Sequence, residues 1–315
     1  MNLRPGTVAR WLVAIAIVGV LVALLDLGEI GARLASANLA LAVPAIAGLV
    51  AVHLIAVGSW RRLTSTLAGD SLDWPTAIRM FYAGLAVGTV TPGNIGADAY
   101  RVTALGDRAA VGRLTRVVVV QRLTSLAAVA YLGAIGALAL PIEGLAPLVL
   151  LLGAVGGALA LAVVFLSTSA SRFGGIVGDL LRRLGLDDAG TFHGRLRSAF
   201  VDGFGFGLAF HAVSLLLGLA LVAAVDPAAV GARPVVVLAA LAVARVSLAL
   251  PITPNGIGVQ ESLLGVLFVQ VGLPPETAIA AALLNRLALL LAAAVGAVSL
   301  SAAGRQGRQA IAVRR

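Results

Sequence analysis

The chain has 315 residues, of which 60% are hydrophobic and only 12% charged, and its mean hydropathy is +1.04. A soluble domain carries about 25% charged residues, so there is too little polar surface to coat a water-soluble globule, and a single integral membrane domain over 1–315 is expected. Cysteine is absent and the histidines are His53, His193 and His211. Disulfides and thiolate metal sites are therefore excluded, a zinc site is not expected, and no cofactor is called for. The net charge of +9 is carried by Arg. Nucleic acid is one partner for a basic chain, but these positives sit between apolar runs, which favours anchoring at anionic membrane lipid.

In chain order, Arg4 and Arg10 precede an apolar run, and Ala35-Ser36-Ala37 follows at a distance. The pattern resembles a signal peptide, but Asp26, Glu29 and Arg33 interrupt the gap, so an uncleaved first span is expected. A crossing helix needs about 20 mostly apolar residues. Candidate crossings are 11–25, 39–58, 117–140, 145–166, 199–225 and 277–303. Two further apolar stretches, 76–101 and 234–272, are broken in the middle by Pro, Gly and Asn. Between 168 and 198, Phe173, Ile176, Leu180 and Leu184 recur at helical spacing beside Arg172, Arg182 and Arg183. That pattern predicts an amphipathic linker helix on the inner leaflet, although the glycines among them also fit a solvated connector. The 37 glycines fit close helix packing in lipid and equally an Ala/Gly/Arg-rich genome.

The two breaks are nearly the same phrase: Thr91-Pro92-Gly93-Asn94-Ile95-Gly96 and Thr253-Pro254-Asn255-Gly256-Ile257-Gly258. At almost equal offsets beyond them, an amide precedes an Arg within an apolar run, as Gln121-Arg122 and Asn285-Arg286. This is an internal repeat, with halves at about 76–166 and 199–303. If all eight stretches crossed the membrane fully, Arg108, Arg113, Arg116 and the Arg-rich linker would fall outside, against the positive-inside rule. If the two broken stretches are re-entrant, Arg4, Arg10, Arg61, Arg62, Arg79, Arg108, Arg113, Arg116, the linker and Arg305 to Arg315 all fall on the cytoplasmic side. The expected fold is thus an all-α polytopic bundle of about six crossings plus two re-entrant broken-helix hairpins in an inverted repeat, with both termini cytoplasmic. Inverted repeats with broken helices near the midplane are a recurrent transporter plan.

Each Pro/Gly/Asn turn leaves backbone N–H groups unpaired, and the helix restarting after it offers a positive end to an anion such as phosphate. A structural kink is the plainer alternative. Asp98 and Arg101 follow the first turn on one helix face, and Glu261 follows the second. Arg122, Arg245 and Arg286 are also embedded in apolar sequence. Charges in such positions face a cavity or a partner, and the Arg fork grips phosphate bidentately. Glu261 with Arg245 or Arg286 also fits a buried structural pair. His211 is read as a hydrogen-bonded structural residue in preference to a proton relay. No nucleophile elbow, phosphate-binding loop or paired catalytic carboxylates occur, and no soluble stretch is long enough for a catalytic domain, so no enzymatic activity is expected.

The phrase from Thr91 to Arg101, and the phrase from Pro251 to Glu261 with its Pro-x-Gly-x-Gly-x-x-Glu element, resemble the two signature regions of the lysylphosphatidylglycerol synthase/flippase membrane-domain family. The resemblance runs from about Trp11 to Ala303. It implies a flippase-like membrane domain of the plasma membrane. The better-known members move an aminoacylated phospholipid between leaflets and add a soluble aminoacyltransferase domain. By match to the signatures, Asn94, Asp98, Arg101, Asn255 and Glu261 are candidate cavity residues. Arg122, Arg245 and Arg286 come from the chain's own pattern. Together these eight form the candidate substrate site. The expected role is translocation of a polar-headed phospholipid or lipid-linked intermediate. A proton-coupled transporter of a small anion and a scaffold for a lipid-modifying enzyme partner are the alternatives.

Overall fold

The structure is a computed structural model. It describes residues 12–313 other than 13–14, 18, 21–22, 90, 92–94, 105–107, 143–190, 248–252 and 254–256. The expected span 145–166, most of the linker 168–198, and residues 11, 13–14, 18 and 21–22 of the expected span 11–25 lie outside the described residues.

Every regular element among the described residues is helical. Helix α1 (Leu27–Ala35) begins where Asp26 accepts from the Glu29 amide at 3.0 Å, satisfying an otherwise unpaired N–H. Helix α2 (Leu39–Ala51) is capped in the same way by Asn38. It runs almost directly into α3 (His53–Leu63) and a π-helical turn (Thr64–Ala68), which stops at Gly69 with φ 76°. Next come α4 (Trp74–Thr89), α5 (Ile95–Thr103), the long α6 (Arg108–Ala139) and the long α7 (Thr191–Val225). The short α8 (Pro227–Ala232) is followed by α9 (Pro234–Val246), α10 (Val259–Gln270) and α11 (Pro275–Val313).

Four helical stretches among the described residues are long and apolar enough to cross a membrane: Leu39–Ala68, Val111–Ala139, Gly194–Val225 and Pro275–Leu300. Leu24, Leu39, Leu138, Val201 and Val298 are all more than half exposed, as lipid-facing residues must be. The crossing helices run past the ends expected from hydropathy alone: 39–58 continues to Ala68, 117–140 starts at Arg108 and 199–225 starts at Thr191. Polar and Arg-bearing turns there depress the hydropathy without breaking the helix, because long Arg side chains can reach the interface from a helical backbone.

The broken stretches are helices on either side of a break, too short to cross alone. At about 1.5 Å per residue, the 13 residues of α9 extend only ~20 Å, against a hydrocarbon core of ~30 Å. Helices α4 and α5 pack on each other, and a side chain at Gly84 would meet the Ala97 carbonyl at 3.1 Å. At the far pair, Arg233 before α9 donates to the carbonyl of Val271 after α10 at 2.6 Å, which ties the start of one arm to the end of the other.

Two apolar cores hold the bundle. One gathers Ile30, Leu49, Leu140, Leu221, Val237 and Phe268. The other gathers Val57, Trp60, Leu63, Phe81, Val117 and Leu196. The polar side chains lie between them. Along α6, Gln121 to Ser125 fall between Val120 of one core and Ala137 of the other, and along α7, His211 falls between Ala199 and Leu221; along α11, Arg286 lies between Ala282 and Ala288 of the first core. Polar side chains thus fall about midway along the long apolar helices α6, α7 and α11, where charge is costly if the helices cross a membrane.

Candidate functional site

The first break is closed by Thr91. Its hydroxyl accepts from the Gly96 amide at 3.0 Å and lies 3.2 Å from the Gly88 carbonyl, to which it donates. One side chain thus spans the gap between α4 and α5, which lets α5 restart with Asp98 in its first turn. Asn94 lies outside the described residues.

Asp98 is the hub of the first half. One carboxylate oxygen accepts from Arg101 and the other from Arg122 of α6. Arg101 is buried, at 9% exposure. It also donates to Gln121 at 3.1 Å and lies 4.7 Å from the Phe81 ring centroid. Gln121 in turn donates to the Ala56 carbonyl at 3.0 Å. A buried ion pair is tolerable only when its remaining donors and acceptors are also satisfied, and Gln121 and Phe81 supply that here.

This cluster forms a wall of a cavity of about 220 Å³. The lining comes from α3, α4, α5, α6 and α7, and includes His53, Asp98, Arg101, Arg122, Ser125 and Phe206. Gly203 and Gly207 of α7 allow the approach to α6: a side-chain carbon at 203 would sit 2.7 Å from the Thr124 hydroxyl. His53 is held by the Leu49 and Val50 carbonyls at 3.2 and 3.3 Å.

The second break is closed differently. Gly258 has φ 81°, a backbone state suited to glycine. Its N–H donates to Glu261 at 2.9 Å, and the other oxygen of Glu261 accepts from Arg286 at 2.6 Å. Glu261 therefore caps its own helix, and the positive helix end expected to attract an anion already holds a carboxylate. Of its two expected partners, Glu261 pairs with Arg286 and not with Arg245. Asn255 lies outside the described residues. Thr253 is buried.

Arg245 stands apart from both ion pairs. Its Nε donates to His211 Nδ1 at 3.2 Å, and His211 Nε2 lies 3.0 Å from the Ser125 hydroxyl. Arg only donates, so Nδ1 accepts, and the neutral ring carries its proton on Nε2, facing Ser125. His211 is thus hydrogen-bonded on both sides and connects Arg245 to the cavity wall. Arg245 also lines a small void of about 30 Å³ with Gln260 and Asn285.

The six described candidate residues fall into separate groups. Asp98, Arg101 and Arg122 come together, Glu261 and Arg286 form a second pair, and Arg245 bridges toward the first group through His211. In both halves the Arg of the amide-Arg pair reaches back to the carboxylate that follows the break, across 24 residues for Asp98–Arg122 and 25 for Glu261–Arg286. Residues 11–296 match the family model described as the lysylphosphatidylglycerol synthase TM region. The chain belongs to this family. In this member of the lysylphosphatidylglycerol synthase TM region family, both signature phrases border the breaks, and the carboxylate of each is held by an Arg of a long helix. Compared with curated proteins and with solved structures, the chain has no significant match.

Sequence reasoning missed Ser125, His53, Phe206 and Phe210 as cavity residues. Each is a single ordinary residue in an apolar run. The glycines at 203 and 207 were the nearest signal, since close helix contact in lipid needs small residues.

Proposed function

We propose that the chain is a flippase-like membrane protein that carries the polar head group of a phospholipid or lipid-linked intermediate between leaflets. The observation that carries this reading is the charged cavity at mid-depth, where Asp98, Arg101 and Arg122 stand among apolar helices. Its volume of about 220 Å³ is below the ~300–1,000 Å³ of pockets that engulf drug-sized ligands. It suits a head group whose acyl tails stay in the bilayer. Arg101 and Arg122 would grip a phosphate, and Asp98, released from them, would balance charge or contact a cationic head group. Exchanging one set of charge-assisted hydrogen bonds for another keeps the cost of a buried charge low.

The matched Asp98–Arg122 and Glu261–Arg286 pairs support an inverted repeat, with the first hairpin dipping from the cytoplasmic side and the second from outside. The Arg distribution supports a plasma-membrane protein with cytoplasmic termini. The reading contains no chemical step. Transport would run on a gradient, a membrane potential or downhill flow.

The test is reconstitution in liposomes with fluorescent head-group-labelled lipids. Asp98→Asn and Arg122→Ala should slow scrambling at least tenfold, and Glu261→Gln and Arg286→Ala should impair it as well. Unchanged scrambling in all four overturns the head-group site, and no scrambling by the unaltered chain overturns translocation. Proton flux tied to a soluble anion would establish the secondary-transporter alternative. Activity only beside a lipid-modifying enzyme would establish the scaffold.

A further inference from the structure

A second cavity of about 340 Å³ lies at the Arg61/Arg62 end of the bundle, lined by Arg61, Arg62, Ser65, Ser71, Trp74 and Phe206 among others. Phe206 also lines the mid-depth cavity, so its ring is a shared wall. Gly58 gives the ring its seat: a side-chain carbon there would lie 3.2 Å from Phe206 and 3.6 Å from Trp74. Arg62 is matched by Asp202 at 2.7 Å. Arg61 has no acidic partner among the described residues. Its Nε donates to the Leu72 carbonyl at 2.7 Å and its guanidinium carbon sits 4.3 Å from the Trp74 ring centroid. The fork is thereby fixed in direction, and its two Nη nitrogens make no hydrogen bond to the described residues.

We propose that this second cavity is a docking station for a phosphate group, a lipid phosphodiester in the first instance, and that Phe206 is the gate between it and the mid-depth cavity. The proposal rests on the translocation reading above and adds a site and a barrier to it. An oriented Arg fork with Ser65 and Ser71 in the same lining suits a phosphate oxyanion. Trp74, 47% exposed, is the residue type that sits at the head-group level of a membrane. The surplus of Arg at this end places it on the cytoplasmic face. A head group held here is one aromatic ring away from Asp98, Arg101 and Arg122, so rotation of Phe206 would join the two stations without a large movement of helices.

The experiment uses the full chain in phosphatidylcholine nanodiscs and a phosphatidylglycerol analogue with a photoreactive head group. Label is expected on peptides containing residues 58–74 and on Phe206. Arg61→Ala should weaken apparent affinity about tenfold, as for loss of a charge-assisted contact. Because Arg61 also holds the Leu72 carbonyl, Ser65→Trp provides a second variant that fills the cavity and leaves that bond in place, and it should abolish the label. Competition by millimolar inorganic phosphate would assign the site to the free anion as well as to lipid; label that persists would assign it to lipid alone. Phe206→Ala should speed scrambling severalfold. The station is overturned if label is absent from these peptides or unaffected by both variants, and the gate if Phe206→Ala leaves scrambling unchanged. If Asp98→Asn and Arg122→Ala stop scrambling while none of the Arg61, Ser65 and Phe206 variants alters label or rate, translocation stands and the station and gate fall. If label at Arg61 persists but the unaltered chain moves no lipid between leaflets, translocation falls and an anion site remains.

Discussion

Asp98 is shared by two guanidinium groups, and Arg101, at 9% exposure, has little other compensation for its charge. Breaking a buried pair from one side is more damaging than never having it, because the remaining charge is stranded. Asp98→Asn is therefore expected to cost about 3 kcal/mol of stability, read as a lowered midpoint in thermal unfolding in detergent. Asp98→Asn combined with Arg101→Gln should be milder than the two single changes added together. The hydrogen bonds of His211 make a different forecast. Arg245 needs an acceptor, which Asn can provide in place of Nδ1 and Leu cannot. His211→Leu should thus destabilise the protein clearly more than His211→Asn in the same unfolding assay, by about 1–3 kcal/mol for the stranded donor. If both variants unfold alike, the hydrogen bond from Arg245 is not holding the ring.

Between elements, closeness of approach sets the tolerance to change. At Gly296 of α11 an added side-chain carbon would lie 1.8 Å from the Tyr82 carbonyl of α4, so the two backbones would have to separate. Overpacking of this kind costs about 1–3 kcal/mol. Gly296→Ala should lower thermal stability, whereas Gly205→Ala, which meets nothing within 4 Å, should be neutral. The contrast matters for the site, because α4 is one arm of the first hairpin and carries Phe81 against Arg101. Displacing α4 would shift the cavity wall as well as the fold.

For the molecule as a whole, the expected sidedness can be checked directly. Ser71→Cys and Thr103→Cys, before and after the first hairpin, should react with an impermeant thiol reagent from the cytoplasmic face only. Ala232→Cys and Gln270→Cys, around the second hairpin, should react only from outside. Labelling of either pair from both faces would mean that the stretch crosses, and would remove the re-entrant plan. Much of the architecture could be read from the chain, because hydropathy reports directly on contact with lipid and Pro-Gly-Asn phrases on breaks in it. Helix ends could not, since an Arg-bearing turn at α6 or α7 looks like a loop to hydropathy and remains a helix in three dimensions. The carboxylate and Arg residues were visible as misfits in apolar runs. Their partners were harder, because choosing Arg286 over Arg245 for Glu261 depends on which faces of α9, α10 and α11 meet, and one residue of helical phase decides that. The aromatic and small residues of the cavity carry no misfit at all and emerge only once α3 and α7 are placed beside the ion pairs.

The two halves share a phrase but close their breaks by different means. Thr91 bridges the first with a hydroxyl and leaves its carboxylate at the cavity wall, while Glu261 closes the second with the carboxylate itself, which is also bound to Arg286. Any rearrangement of the second hairpin must break a helix cap and an ion pair in one step, whereas Asp98 can change partners with its hairpin intact. If the chain translocates lipid as proposed, the second half is suited to be a fulcrum and the first to be the moving jaw, so that a molecule with near-symmetric parts would work asymmetrically.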